Sequence, residues 1–178
     1  MVYAAMRRLR LYLLLVGICL LSLPFTGNLA AQQMMVPENI QAALLDKILP
    51  FAPRLADEAT IKLLIVYDPG TRTLAERQAA AMSPRWQVDL VLEQNSATQI
   101  QEYDVVYFYK ASKPLLEACK EHKVLSVSGN RELAENGSVS LAIGLANDKP
   151  RLFVNISSLR AEEHNFSPEV QRIASVTR

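Results

Sequence analysis

Cysteine is almost missing from this chain: its 178 residues contain two, Cys19 and Cys119. Removal of the N-terminal leader described below takes Cys19 with it, and a lone thiol cannot form an internal disulfide. Cys119 follows Leu115 by four residues, on one face of an expected helix, where a free cysteine behaves as a small buried hydrophobe; a reactive thiol or an intermolecular bridge is the alternative. Histidine is equally scarce. His122 and His164 lie beside Glu121 and Glu162-Glu163, but neither group has zinc-ligand spacing, so no metal and no other cofactor is expected. His122 is read instead as the end of a helix, where positive charge is favoured. Gly129 and Gly137 make no phosphate-binding fingerprint, and no GxxxxGK[ST] segment occurs. Ser126-Val127-Ser128-Gly129 lacks the leading glycine of a nucleophile elbow, and no serine has an identifiable base. Without a nucleophile–base pairing, the chain is not expected to be an enzyme.

Excess charge is lacking too, except at the start. Residues 1–10 carry Arg7, Arg8 and Arg10 with no acid, residues 11–23 are almost continuously apolar, and Asn28-Leu29-Ala30-Ala31 supplies small residues. A basic start, a short apolar core and a small-residue exit describe a secretory signal, cut near Ala31. The apolar run falls short of the ~20 residues that span a membrane comfortably, so an uncleaved anchor is the lesser reading. Residues 1–31 are therefore assigned as signal peptide and residues 32–178 as one exported domain. Those 147 residues hold 16 basic and 18 acidic side chains, a net charge of −2. Such a balance, without a basic cluster, excludes nucleic acid as a partner. No second long apolar run follows.

The mature chain alternates helix and strand signals. Ile40, Leu44, Ile48 and Phe51 recur at helical spacing, widened by Leu45 and Leu49, and Pro50 and Pro53 end that helix. Ile61 to Tyr67 is an apolar strand stopped by Asp68-Pro69-Gly70. A helix over 71–82 follows, then strands over 86–92 and 103–109. Ser112-Lys113-Pro114 opens another helix, and 124–127 is a fourth strand. Alternation then gives way to a hairpin of 139–145 and 151–156, joined by a polar loop over 146–150. Ser167-Pro168-Glu169 starts a closing helix docked by Val170, Ile173 and Ala174. The expected fold is α/β, a single three-layer sandwich with a mainly parallel sheet and a C-terminal antiparallel hairpin at its edge. Val139 to Leu145 is expected to leave an apolar edge open to a second copy, hence a possible homodimer.

Ligands of open parallel sheets gather outside the carboxyl ends of the strands. Three such ends are polar here: Asp68, Gly70, Thr71 and Arg72; Lys110 and Ser112; and Ser128, Gly129, Asn130 and Arg131. If the first, third and fourth strands are neighbours, these loops share one rim, and Arg72, Lys110 and Arg131 would favour an anion. Polarity there is also what any wet loop displays. Asn155 interrupts an apolar strand, and a buried amide needs partners, so it is expected to pin a neighbouring loop.

The order and spacing of Leu49-Pro50-Phe51-Ala52-Pro53, Leu125-Ser126-Val127-Ser128-Gly129, Phe153-Val154-Asn155-Ile156 and Ser167-Pro168-Glu169-Val170 resemble the YfiR-like (HmsC-like) family of periplasmic regulators, across nearly the whole mature chain. Gly129 stands where the family usually has an acid, and Asp68 where it more often has glycine. The resemblance implies a periplasmic, non-enzymatic protein. It would bind the periplasmic domain of an inner-membrane diguanylate cyclase, lowering cyclic-di-GMP and biofilm formation. A periplasmic sensor or binding domain for an anion, nucleotide or amino acid is the alternative.

Overall fold

Seven segments of the described residues pair into one sheet, since a buried backbone must find its hydrogen-bond partners within the protein. The computed structural model describes residues 35–56 and 58–178; the leader assigned to 1–31 lies outside them. The strands are β1 (Ile61–Tyr67), β2 (Trp86–Leu92), β3 (Val105–Phe108), β4 (Leu125–Ser128), β5 (Leu141–Ala146), β6 (Lys149–Asn155) and β7 (Ser175–Thr177). Their order is β2-β1-β3-β4-β5-β6-β7. Every neighbouring pair is parallel except β5 with β6. The helices are α1 (Glu38–Ile48), α2 (Pro53–Ala56), α3 (Arg72–Ala81), α4 (Lys113–His122), α5 (Arg131–Glu135), α6 (Ile156–Ala161) and α7 (Pro168–Ile173). No described helix is long and apolar enough to cross a membrane.

The two-residue period of a strand sends alternate side chains to opposite faces. Leu63 and Ile65 of β1 join Leu45 and Ile48 of α1 and Ala75 of α3 in one core, while Leu64 and Val66 join Leu115 and Cys119 of α4 and Ala134 of α5 in the other. All four residues of β3 and of β4 are buried. The α/β sandwich with a mainly parallel sheet is thus present, its centre covered on both sides.

Tertiary contacts changed four local expectations. The buried stripe of α1 is Gln41, Ala42, Leu45 and Ile48, whereas Ile40 and Phe51 are exposed. It is rotated because Gln41 turns inward, its Nε2 donating to the Val36 carbonyl and its Oε1 accepting from the Tyr107 hydroxyl. The hairpin loop shrinks to Asn147 and Asp148, both left-handed (φ 50° and 57°), a geometry that matches strand twist; Ala146 and Lys149 already pair. The expected open edge at Val139 to Leu145 lies inside the sheet: β6 pairs with all of β5, and β4 pairs with it at Leu141 and Ala142. The hairpin is not the sheet's margin either: after α7 the chain returns as β7 beside β6, leaving Ile173 exposed rather than docked. Short helices α5 and α6 escaped the periodicity, being only five and six residues long.

Gly129 has a steric reason. A Cβ there would lie 2.5 Å from the Tyr107 hydroxyl and 2.8 Å from Gln41 Nε2. Gly129→Ala should therefore destabilise the protein by about 1–3 kcal/mol through overpacking. Gly70→Ala, whose Cβ meets only the Asp68 carboxylate at 3.2 Å, should stay within about 0.5 kcal/mol. Urea unfolding midpoints measure both.

Candidate functional site at the carboxyl edge of the sheet

β1, β3 and β4 are parallel neighbours, so the three polar loops do share one edge. The chain runs from β1 outward to β2 on one side and resumes at β3 on the other, which makes the β1–β3 boundary the switch point of the topology. Asp68 and Lys110 face each other across it, Lys110 Nζ lying 2.7 Å from Asp68 Oδ2. Asp68 Oδ1 also accepts from the amides of Gly70 and Thr71 at 2.8 and 2.9 Å. Thr71 Oγ1 in turn accepts from the Asp68 amide. The Lys110 hydrogen bond, more than any other influence, holds the Asp68 carboxyl below its ordinary range; burial opposes it.

The other candidates on this edge are committed to the fold or to acids of the same chain. Arg72 projects into solvent and pairs with Glu76 at 2.9 Å. Arg131 donates to the Leu145 carbonyl, approaches Glu135 at 3.8 Å and lies over the Phe153 ring. Ser128 Oγ donates to the Phe108 carbonyl and accepts from the Asn130 amide. Asn130 Oδ1 caps α5 by accepting from the Glu132 amide. Gly129 is covered by Tyr107, Met35 and Gln41. β3 separates β1 from β4, so Asp68 and Ser128 stand roughly 10 Å apart by strand spacing.

The edge does hold a cavity of about 470 Å³, on the β2 side of the switch point. Tyr67 and Asp68 from the end of β1, Leu92 and Glu93 from the end of β2, and Ser112 and Leu115 from the start of α4 form its walls. Of the ten residues singled out from sequence, Asp68 and Ser112 line it. Glu93 and its neighbour Gln94 were missed. Their only sequence signal was position, directly after a strand, and nothing in one chain says that β2 lies beside β1.

A second polar centre is buried in the C-terminal half. Glu162, 1% exposed, follows α6 and accepts from the Ser126 amide at 3.0 Å and from the Ser126 and Ser140 hydroxyls, both at 2.5 Å. It thereby ties α6 to β4 and to the entrance of β5. Burial raises its carboxyl from the ordinary 4.5 to about 7, against the pull of those three donors and of nearby Lys120. Asn155 performs the expected pinning: Oδ1 accepts from the Ser158 amide and caps α6, while Nδ2 donates to the Ala134 carbonyl. His164 is buried with Nε2 3.0 Å from the Lys123 carbonyl, an arrangement that makes Nε2 the donor of a neutral ring. Burial lowers its pKa accordingly. Cys119 is fully buried, and desolvation pushes its thiol up, away from thiolate chemistry.

Residues 38–175 match the family model described as YfiR/HmsC-like. A search of curated proteins finds no match. Among solved structures, the chain is similar to a conserved domain protein of Vibrio cholerae O1 biovar El Tor, with a TM-score of 0.58 and 13% identity. It is also similar to an ABC domain in complex with L-Trp from Streptococcus pneumonia, with a TM-score of 0.56 and 11% identity. Each alignment covers 80% of this chain and 60% of the other, so the chain spans less than two thirds of either protein. At such identities the likeness is one of fold.

Two measurements test the buried centre. Because the folded protein retains a proton on Glu162 that the unfolded chain releases, stability should fall as pH rises between 4.5 and about 7. At about 1.4 kcal/mol per unit the loss is on the order of 3 kcal/mol, and Glu162→Gln should flatten that slope in urea titrations. Asn155→Ala removes the α6 cap and leaves the buried Ser158 amide without its acceptor, and should cost about 1–2 kcal/mol at any pH.

Proposed function

The chain belongs to the YfiR/HmsC-like family, and from that premise we propose that it is an exported, non-enzymatic repressor of an inner-membrane diguanylate cyclase. The family is periplasmic and regulates cyclic-di-GMP signalling; the match over residues 38–175, nearly all of the mature chain, is the observation that carries the reading. The residue chemistry supports it. Ser126 and Ser140 are fully buried and donate to the Glu162 carboxyl, whereas a nucleophilic serine needs an exposed hydroxyl. Cys119 is sealed in the core. These groups are committed to holding the fold together.

Such a protein acts by differential affinity. Binding the inactive state of the cyclase's periplasmic domain more tightly than the active state lowers cyclic-di-GMP output, and release restores it. Thermodynamics limits the effect: an equilibrium moves only as far as the two affinities differ.

Deletion of the gene should raise cellular cyclic-di-GMP and biofilm mass. Complementation by the full chain should reverse both, and a form lacking residues 1–31 should not. The exported protein should co-purify with a membrane cyclase. Unchanged nucleotide levels on deletion, with no cyclase captured, would overturn the proposal.

A further inference from the structure

We propose that the cavity beside the switch point binds a small organic cation with an apolar body, its ammonium held between Asp68 and Glu93. This does not rest on repression of a cyclase.

Place and size come first. Ligands of sheets with this strand order gather at the carboxyl edge beside the switch point, and the cavity, at about 470 Å³, falls within the usual range for small-molecule sites. Tyr67, Leu92 and Leu115 offer an apolar body something to pack against, while Asp68 and Glu93 bring carboxylates to the same walls. Among the described residues, no basic side chain lines the cavity.

The nearest cation shows what the carboxylates attract. Lys110 lies just outside, its ammonium 2.7 Å from Asp68 Oδ2, and Glu93 also attracts it. That Nζ stands in for a ligand ammonium. The lysine side chain is three-quarters exposed, so it can swing away when a ligand supplies the same charge together with the apolar body that Lys110 leaves outside.

An anion fares worse. The start of α4 would ordinarily attract one, but Pro114 has no N–H, and the amides of Leu115 and Leu116 already donate to the Ser112 carbonyl. The rim cations expected to favour an anion each face an acid of this chain.

The test titrates the purified protein with 2-phenylethylamine, with neutral 2-phenylethanol and anionic 3-phenylpropionate as shape-matched controls, by calorimetry and amide NMR. The amine should bind saturably, perturb Glu93, Gln94, Ala97 and Ser112, and exceed both controls by about threefold or more, the worth of one partly exposed charge pair. Glu93→Gln should lose that margin. Ala97→Phe, which fills the cavity from a wall residue, should abolish binding. Lys110→Ala should tighten the amine, because it removes the internal competitor.

Three results would overturn the proposal: no saturable amine binding up to about 10 mM, well above the millimolar range of weak sites; preference for the anion, lost in Lys110→Ala; or perturbations confined to another face. Amine binding with unchanged cyclic-di-GMP on gene deletion would leave this site standing and reject the cyclase reading.

Discussion

Double burial of the central strands is the constraint from which the rest follows. β1, β3 and β4 lie side by side in the interior of the sheet, buried on both faces; β1 and β3 carry apolar residues on each, while β4 buries Leu125 and Val127 on one face and Ser126 and Ser128 on the other. A parallel sheet of this kind is stable only when helices cover it on either side, as the two separate cores here do. Each large aliphatic side chain withdrawn from water contributes roughly 1.5–3 kcal/mol. Once both faces are sealed, the strand ends remain as the places where polar groups can gather. The rim and its cavity are consequences of how the core is closed.

Polar groups within that core serve a different purpose. The surface ion pairs, such as Arg72 with Glu76 and Lys113 with Glu117, are well exposed, and pairs of that kind contribute about 0–1 kcal/mol each. Glu162 and Asn155 are buried and nearly saturated with hydrogen bonds, so each specifies one geometry. Between them they join α6 to β4, to the start of β5 and to the end of α5. A hairpin and two helices too short to be stable alone meet at these two side chains.

The rim neutralises itself. Lys110 spans the switch point to Asp68, Arg72 folds onto its own helix, and Arg131 serves β5 and Glu135. What is left at the edge is a cavity with carboxylates and apolar walls beside an exposed lysine. A regulator built this way can present its outer surface to a protein partner while a small molecule addresses the interior of the edge.

Much of this organisation was legible in the sequence. The runs forming β1 to β4, the proline stop after α1, the Ser-Pro-Glu start of α7 and the structural role of Asn155 all follow from local chemistry. Less was legible where partners are distant. Gln41 faces inward because Tyr107, 66 residues away, has a hydroxyl to satisfy, and Gly129 is required because both crowd the same point. Glu162 reads as one acid among several beside a histidine; it is the donors of β4 and β5 that make it a buried centre. Strand content, layer class and the polarity of the three loops were therefore set by local composition and periodicity, which act over a few residues. Strand order, the choice of Glu93 as a cavity wall, the pairing of each rim cation and the elevated Glu162 carboxyl were decided only in the tertiary structure. Each depends on desolvation and on contacts between residues that the chain alone does not place together.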